Sequence, residues 1–320
     1  MTVNGVSLFE HEPASYRPHR LHAGDRTYHE TNCYTDILIE LLHARGLEPL
    51  AMLGATARLD FEGDQWTFFK PSPDDLEALF GVDIHEMQPA PWLPPQIGAL
   101  LAAGRTMTVE LDAWFLPDTA ATSYHREHVK TSVIPASIDE VAEHLVYFHN
   151  AGLYELSGED FGGVFGRQLV RDDSLPPYAE LVRFDAGLPL VAEPLRMAAA
   201  ARLSRHLHHR PAHNPFHAFA RQIELDLPRL LDGAPADYHA YAFATVRMAG
   251  AGFELLAEHV DWLLGADAAI ASTALREIVD GSKVLGFKLA RRRPFDPRPL
   301  LDRMAASWDR AISVLDTAAG

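Results

Sequence analysis

The hydrophobic patterning of the chain changes kind near residue 185, and that change limits the folds open to it. Before this point, short segments alternate and favour β-formers, as in Thr106-Met107-Thr108-Val109-Glu110-Leu111 and Val129-Lys130-Thr131-Ser132-Val133-Ile134. After it, the runs 194–208, 218–231, 238–264, 268–290 and 299–317 repeat apolar residues at three and four positions, with almost no strand signal. Gly250 and Gly252 interrupt the third run and mark a bend or a close contact. The order predicts an α+β domain over 1–185 followed by a helical domain over 186–320, and 320 residues are enough for both.

Within the first region, His29-Glu30-Thr31-Asn32-Cys33-Tyr34 is a polar turn that leads into a helix with apolar positions Ile37, Leu38, Leu41 and Leu42. Arg45-Gly46-Leu47-Glu48-Pro49 ends that helix with a glycine and a following proline. A hairpin is expected around Gly63-Asp64 and a helix after Pro73. Residues 84–97 read as an irregular loop, and 138–143 as a short helical stretch.

Cys33 is the only cysteine, so no intrachain disulfide can form. A thiol at a helix start lies near unpaired amide groups and the positive end of the helix dipole, which favour a thiolate and can receive an oxyanion. This is the nucleophile arrangement of papain-like folds. The plain alternative is a small buried hydrophobe.

A cysteine nucleophile needs a base and a third group that orients the base. Papain-like folds supply them as Cys at a helix start, His at a strand start and Asp or Asn at or beyond the next strand. Here Cys33 is followed by His128 at the head of 129–134, then by the polar end of the 153–156 strand. His125, in the preceding loop, is the alternative base. For the third member, Asp160 is favoured over Glu159, Glu155 and Asn150. The Cys33 backbone N–H with Asn32, or with a protonated Glu30, would serve an oxyanion, although Asn32 also suits a helix cap. Asp112 reads equally as an orienting carboxylate or an exposed strand residue.

The segments 29–42, 60–71, 109–119, 124–131 and 147–161 resemble an uncharacterised bacterial family of unknown function, number 1839, over nearly the whole chain. That family is more distantly similar in layout to the butirosin-pathway BtrH-type acyltransferases. The resemblance implies a papain-like N-terminal domain, a helical C-terminal domain, and transfer of an acyl or aminoacyl group from a carrier-protein thioester to a small-molecule amine. A cysteine hydrolase and a non-catalytic carrier-protein scaffold remain alternatives. Asn32-Cys33-Tyr34 matches the nucleophile turn and His128 the base, whereas Ser157-Gly158-Glu159-Asp160 and Lys130 depart from the pattern.

The formal net charge of −16, from 44 acidic and 28 basic residues, argues against binding to nucleic acid or anionic membranes. No apolar run approaches the roughly 18 residues of a membrane span, and residues 1–20 show no signal pattern. A cytoplasmic protein is therefore expected. The cluster His206, His208, His209, His213 and His217 lacks the carboxylate or thiol company of a metal site, and no nucleotide-binding motif occurs, so no cofactor is expected. Lys288 and Arg291-Arg292-Arg293 form a basic patch that suits either a carrier-protein dock or an ordinary helix terminus. Trp66, Phe68, Phe69, Trp114 and Phe115 are aromatics for an acyl pocket or, more simply, for the core.

Overall fold

The structure is a computed structural model that describes residues 6–24, 26–30, 32–90, 92–166, 177–184 and 187–318. It is mixed α/β, with an antiparallel sheet followed by a helical C-terminal region. In chain order the elements begin with β1 (Val6–Ser7), α1 (Arg20–Ala23), α2 (Cys33–Ala44), β2 (Phe61–Glu62), β3 (Gln65–Trp66), α3 (Pro73–Phe80), β4 (Asp83–Met87) and α4 (Pro94–Ala102). They continue with β5 (Thr106–Asp112), β6 (Lys130–Asp139), β7 (His144–His149), β8 (Gly152–Ser157), α5 (Glu159–Val164) and β9 (Ala179–Arg183). The helical region holds α6 (Ala192–His208), α7 (Pro215–Asp232), α8 (Pro235–Ala242), α9 (Met248–Leu264), α10 (Ala269–Ala290) and α11 (Arg298–Ala318).

Two compact units form, each drawn from interleaved segments of the chain. One unit comprises Met1–Gly24, Asn32–Pro49 and Pro73–Leu190; the other comprises Asp25–Thr31, Leu50–Ser72 and Val191–Gly320. The hairpin β2–β3 belongs to the helical unit because its aromatics pack there. Trp66 lies 5.1 Å from Phe216 and 5.9 Å from Phe253, and Phe61 lies 5.2 Å from Phe219.

In the first unit the sheet runs β4-β9-β5-β6-β7-β8, with β1 pairing the far half of β6. Residues 84–97 are not all loop: β4 pairs along β9 from Asp83 opposite Arg183 to Met87 opposite Ala179. Residues 138–143 are not helical. β6 runs through to Asp139, after a bulge between Pro135 and Ser137, and turns into β7. Val109, Leu111, Val133, Leu145 and Tyr147 share one sheet face with Ile97 and Leu101 of α4 and Phe161 of α5. Full burial of each such side chain is worth roughly 1.5–3 kcal/mol, so this layer fixes the sheet against α4 and α5.

Helix α2 packs on β6, β7 and β8. Its start is fixed by Asn32, whose side chain accepts from Thr35 N at 3.0 Å. It ends where Gly46 takes φ 70° and Leu47 N reaches Leu42 O at 2.9 Å, a Schellman closure. Nine of its residues are buried, including Asp36 and Glu40, which lie one turn apart. Both carboxylates face His22, whose Nε2 is 3.1 Å from Asp36 and whose Nδ1 pairs with Glu40. Tyr16 donates to Glu40 at 2.6 Å and the His19 backbone N–H at 3.1 Å, so the N-terminal arm is tied to the helix by satisfied buried charge.

In the second unit α10 packs on α9 and α11, and α7 on α11. A π-helical segment, Phe243–Arg247, leads into α9. Gly250 and Gly252 are close-contact sites. A Cβ on Gly250 would lie 2.1 Å from Tyr28, and one on Gly252 would lie 2.0 Å from Leu59. In the basic patch Arg292 donates to Leu231 O at 3.1 Å and to Gly233 O, closing the end of α7, and Lys288 sits 5.3 Å from the Phe295 ring centroid. Among the described residues no helix is long and apolar enough to cross a membrane.

Candidate active site

Side chains alternate along β5, so Thr108, Glu110 and Asp112 project from the face opposite Val109 and Leu111. Each meets a partner on that face. Thr108 donates to Glu180 at 2.9 Å, Lys130 pairs with Glu110 at 2.8 Å, and His128 Nδ1 lies 2.6 Å from Asp112 Oδ2. The second oxygen of Asp112 accepts from Trp114 N at 3.0 Å. One carboxylate thus holds both the imidazole and the turn that carries Trp114.

Trp114 completes the support. Its ring stacks on His128 with centroids 4.5 Å apart and planes 10° apart. With Nδ1–H donating to Asp112, Nε2 is the nitrogen left to take a proton, and the indole fixes the plane in which it does so. The His128 side chain is 66% exposed, so that nitrogen is open to a ligand.

Cys33 is the first residue of α2 and is partly buried. The next residue, Tyr34, hydrogen-bonds Glu180, which also accepts from Tyr178 at 2.9 Å. Burial, followed by that hydrogen bond, raises the Tyr34 hydroxyl far above its ordinary range, so it stays a donor. The start of α2 is therefore anchored at the Thr108 level of the same face that carries Asp112 and His128. Four residues of β5, about 13 Å of strand, separate those levels. Cys33 makes no hydrogen bond to His128 or His125.

The remaining candidates fall elsewhere. Asp160 accepts from Tyr124 at 2.8 Å and lies 3.3 Å from His125 Nε2; it sits in the first turn of α5 and makes no bond to His128. The carboxylate on His128 is Asp112. The hydrogen bond to Asp160, together with burial and its charge, raises the Tyr124 hydroxyl. His125 has φ 51° and stacks on Tyr124, with centroids 4.1 Å apart. Asn32 spends its side-chain oxygen on the helix cap. Glu159 is exposed beside Asp160, Glu155 pairs with His144 at 3.0 Å, and Asn150 forms the β7–β8 turn at φ 43°. Glu30, exposed at φ 55°, groups with the second unit.

A second histidine–carboxylate pair lies on the other sheet face, one that the sequence reading did not single out. His149 Nδ1 is 2.5 Å from Asp118, its Nε2 is 2.8 Å from Thr131 Oγ1, and Tyr147 donates to the same Asp118 at 2.5 Å. His149 is only 2% exposed, so this network locks the strand ends to the 117–119 turn rather than facing a ligand. The signal available in the sequence was the alternation Tyr147, His149, which puts both on one face of β7.

Of the expected aromatics, Trp66 and Phe69 are buried, Phe68 is 55% exposed, Trp114 stacks on His128, and Phe115 lies against Gly163, where a Cβ would come within 2.2 Å of its ring. Among the described residues, no group of three or more histidine, cysteine or acidic side chains is placed to hold a metal ion.

The sheet, its capped helix and its helical companion unit define a two-part mixed α/β protein with an Asp112-His128 pair at the sheet end. The DUF1839 N-terminal domain matches residues 17–184 and the DUF1839 C-terminal domain matches residues 192–317, and the chain belongs to this family. No curated protein matches it significantly.

Proposed function

We propose that the chain is a papain-like, cysteine-dependent acyl or aminoacyl transferase that uses a carrier-protein thioester as donor and a small-molecule amine as acceptor. The observation that carries this reading is the Asp112-held, Trp114-stacked His128 on the same sheet face that anchors the helix start bearing Cys33. An imidazole with one nitrogen tied to a carboxylate and the other open is what a thiol nucleophile requires.

In the proposed cycle His128 Nε2 takes the Cys33 proton, and the thiolate attacks the thioester carbonyl. The Cys33 backbone N–H, at the unpaired first turn of α2, donates to the oxyanion. The donor C–S bond breaks, and its thiol leaves with the proton held by His128. The amine then attacks the acyl-enzyme; its proton passes to His128, the new C–N bond forms and Cys33 is released. Asp112, in place of Asp160, orients the base. The reading requires the donor complex to bring the thiol and the imidazole, which lie at different levels of this sheet face, into hydrogen-bond reach.

The test is intact-mass analysis after exposure to acyl and aminoacyl carrier-protein thioesters. An added acyl mass on wild type, absent in Cys33→Ala and released by an amine, supports the reading. Release by water alone at the same rate would instead make it a hydrolase, and no adduct with any donor would sink both.

A further inference from the structure

The helical unit contains a cavity of about 240 Å³ whose polar lining is cationic in a chain with net charge −16. Its wall is built by the 3₁₀ segment Pro49–Arg58, the strand end after β3, and α6. Arg58 closes the last turn of the first, the loop 67–72 contributes Thr67, Lys70 and Ser72, and His206 enters from α6. All belong to one compact unit, and no lining side chain is a carboxylate.

We propose that this cavity binds the phosphate of a small phosphate monoester carrying a planar ring. The residues that line the cavity bring a guanidinium, an ammonium, an imidazole and two hydroxyls from three separate segments. That set suits a tetrahedral, three-oxygen anion better than a planar carboxylate, which one arginine can satisfy alone. Thr67 Oγ1 accepts from Asp60 N at 3.1 Å, which orients its hydroxyl proton away from that amide. His206 is 4% exposed and lines the cavity from α6.

The apolar half of the site has its own geometry. Phe68 and Phe69 stack, with planes 14° apart and centroids 6.3 Å apart. Phe69 is buried and supports the pair; Phe68, 55% exposed, lines the cavity. An exposed phenylalanine beside a cationic pocket is an inexpensive stacking platform for a planar group. The site contains no element of the Cys33 machinery and stands independently of that proposal.

The experiment is calorimetric titration of the full chain with phenyl phosphate, inorganic phosphate and benzoate at constant ionic strength. Saturable one-to-one binding of phenyl phosphate is expected, tighter than inorganic phosphate and tighter than benzoate. Arg58→Gln and Lys70→Met should each weaken it by about tenfold or more, and Phe68→Ala should weaken phenyl phosphate while leaving inorganic phosphate unchanged. Binding should persist in Cys33→Ala and in Arg291→Ala/Arg293→Ala, a control for general positive charge. Because Arg58 and Phe68 are exposed, Arg58→Gln and Phe68→Ala keep their melting temperatures. Absence of saturable heat up to about 10 mM, equal loss in the Arg291/Arg293 control, or unchanged affinity in both Arg58→Gln and Lys70→Met overturns the proposal.

Discussion

Asp112 Oδ2 lies 2.6 Å from His128 Nδ1, across the first rung of the β5–β6 ladder, where Asp112 is opposite Lys130. The pair exists because β6 begins two residues after His128 and its antiparallel register returns the chain to the end of β5. A sequence separation of 16 residues is closed by this contact, next to Ala113 N on Val129 O at 2.8 Å.

Replacing Asp112 with Asn removes the acceptor that fixes the His128 tautomer. The rate of acyl-adduct formation on Cys33 is expected to fall on the order of 10²–10⁴-fold. Asp160→Asn should change it by less than about threefold, since Asp160 serves Tyr124 and His125. Stopped-flow mass analysis of the two variants separates them, and the reverse ranking would return the orienting role to Asp160.

Tyr34→Phe removes the hydroxyl that anchors the start of α2 to Glu180. Stability should drop by about 1 kcal/mol, as for one hydrogen bond, while adduct formation slows by about tenfold from misplacement of Cys33. Equal chemical denaturation with an unchanged adduct rate would deny the anchor a positioning role.

The two units should lose stability at opposite ends of the pH scale. Burial opposes charge on His22, but hydrogen bonds to Asp36 and Glu40 and their negative charge outweigh it, and its pKa is pushed up to about 9. Its stabilisation is complete below the unfolded value of about 6.5 and is lost as pH rises through about 9, on the order of 3 kcal/mol in the first unit. Burial lowers His259 to about 4, against the hydrogen bond between its Nδ1 and Leu50 O. That stabilisation is present above about 6.5 and is lost as pH falls toward about 4, in the second unit. Hydrogen exchange resolved by segment, at pH 5, 7 and 9.5, would show α2 loosening at high pH and α9 at low pH; His22→Ala should erase the first dependence.

Gly250→Ala drives a methyl group to within 2.1 Å of the Tyr28 ring. Overpacking of this kind typically costs about 1–3 kcal/mol, so urea unfolding should shift to lower midpoint with little change in slope. The Tyr28→Ala background should recover part of the loss if the clash is the cause.

Much of the architecture was legible in the sequence because it rests on local rules. The cap at Asn32, the glycine closure at Gly46, the hairpin at Gly63 and the five late helical runs follow from capping, turn chemistry and periodicity. The strand β4 was hidden in a proline-rich stretch, since its partner β9 lies about a hundred residues away and only pairing reveals it. Segment Asp25–Thr31 joins the second unit from farther still, with Thr27 N bonding Glu254 across 227 residues.

The amino-acid order alone determined that Cys33 starts a helix and that apolar residues at Ile37, Leu38, Leu41 and Leu42 face inward, whereas the strand expected to begin at His128 starts two residues later, at Lys130. Tertiary structure decided that Glu40, a residue with the look of a solvated helix face, is wholly buried, and that Asp112 rather than Asp160 reaches His128. The physical reason is one of range. Helix caps and turns are settled by neighbours within a few residues, whereas the partner of a charge is settled by register across a sheet and by which segment covers a face.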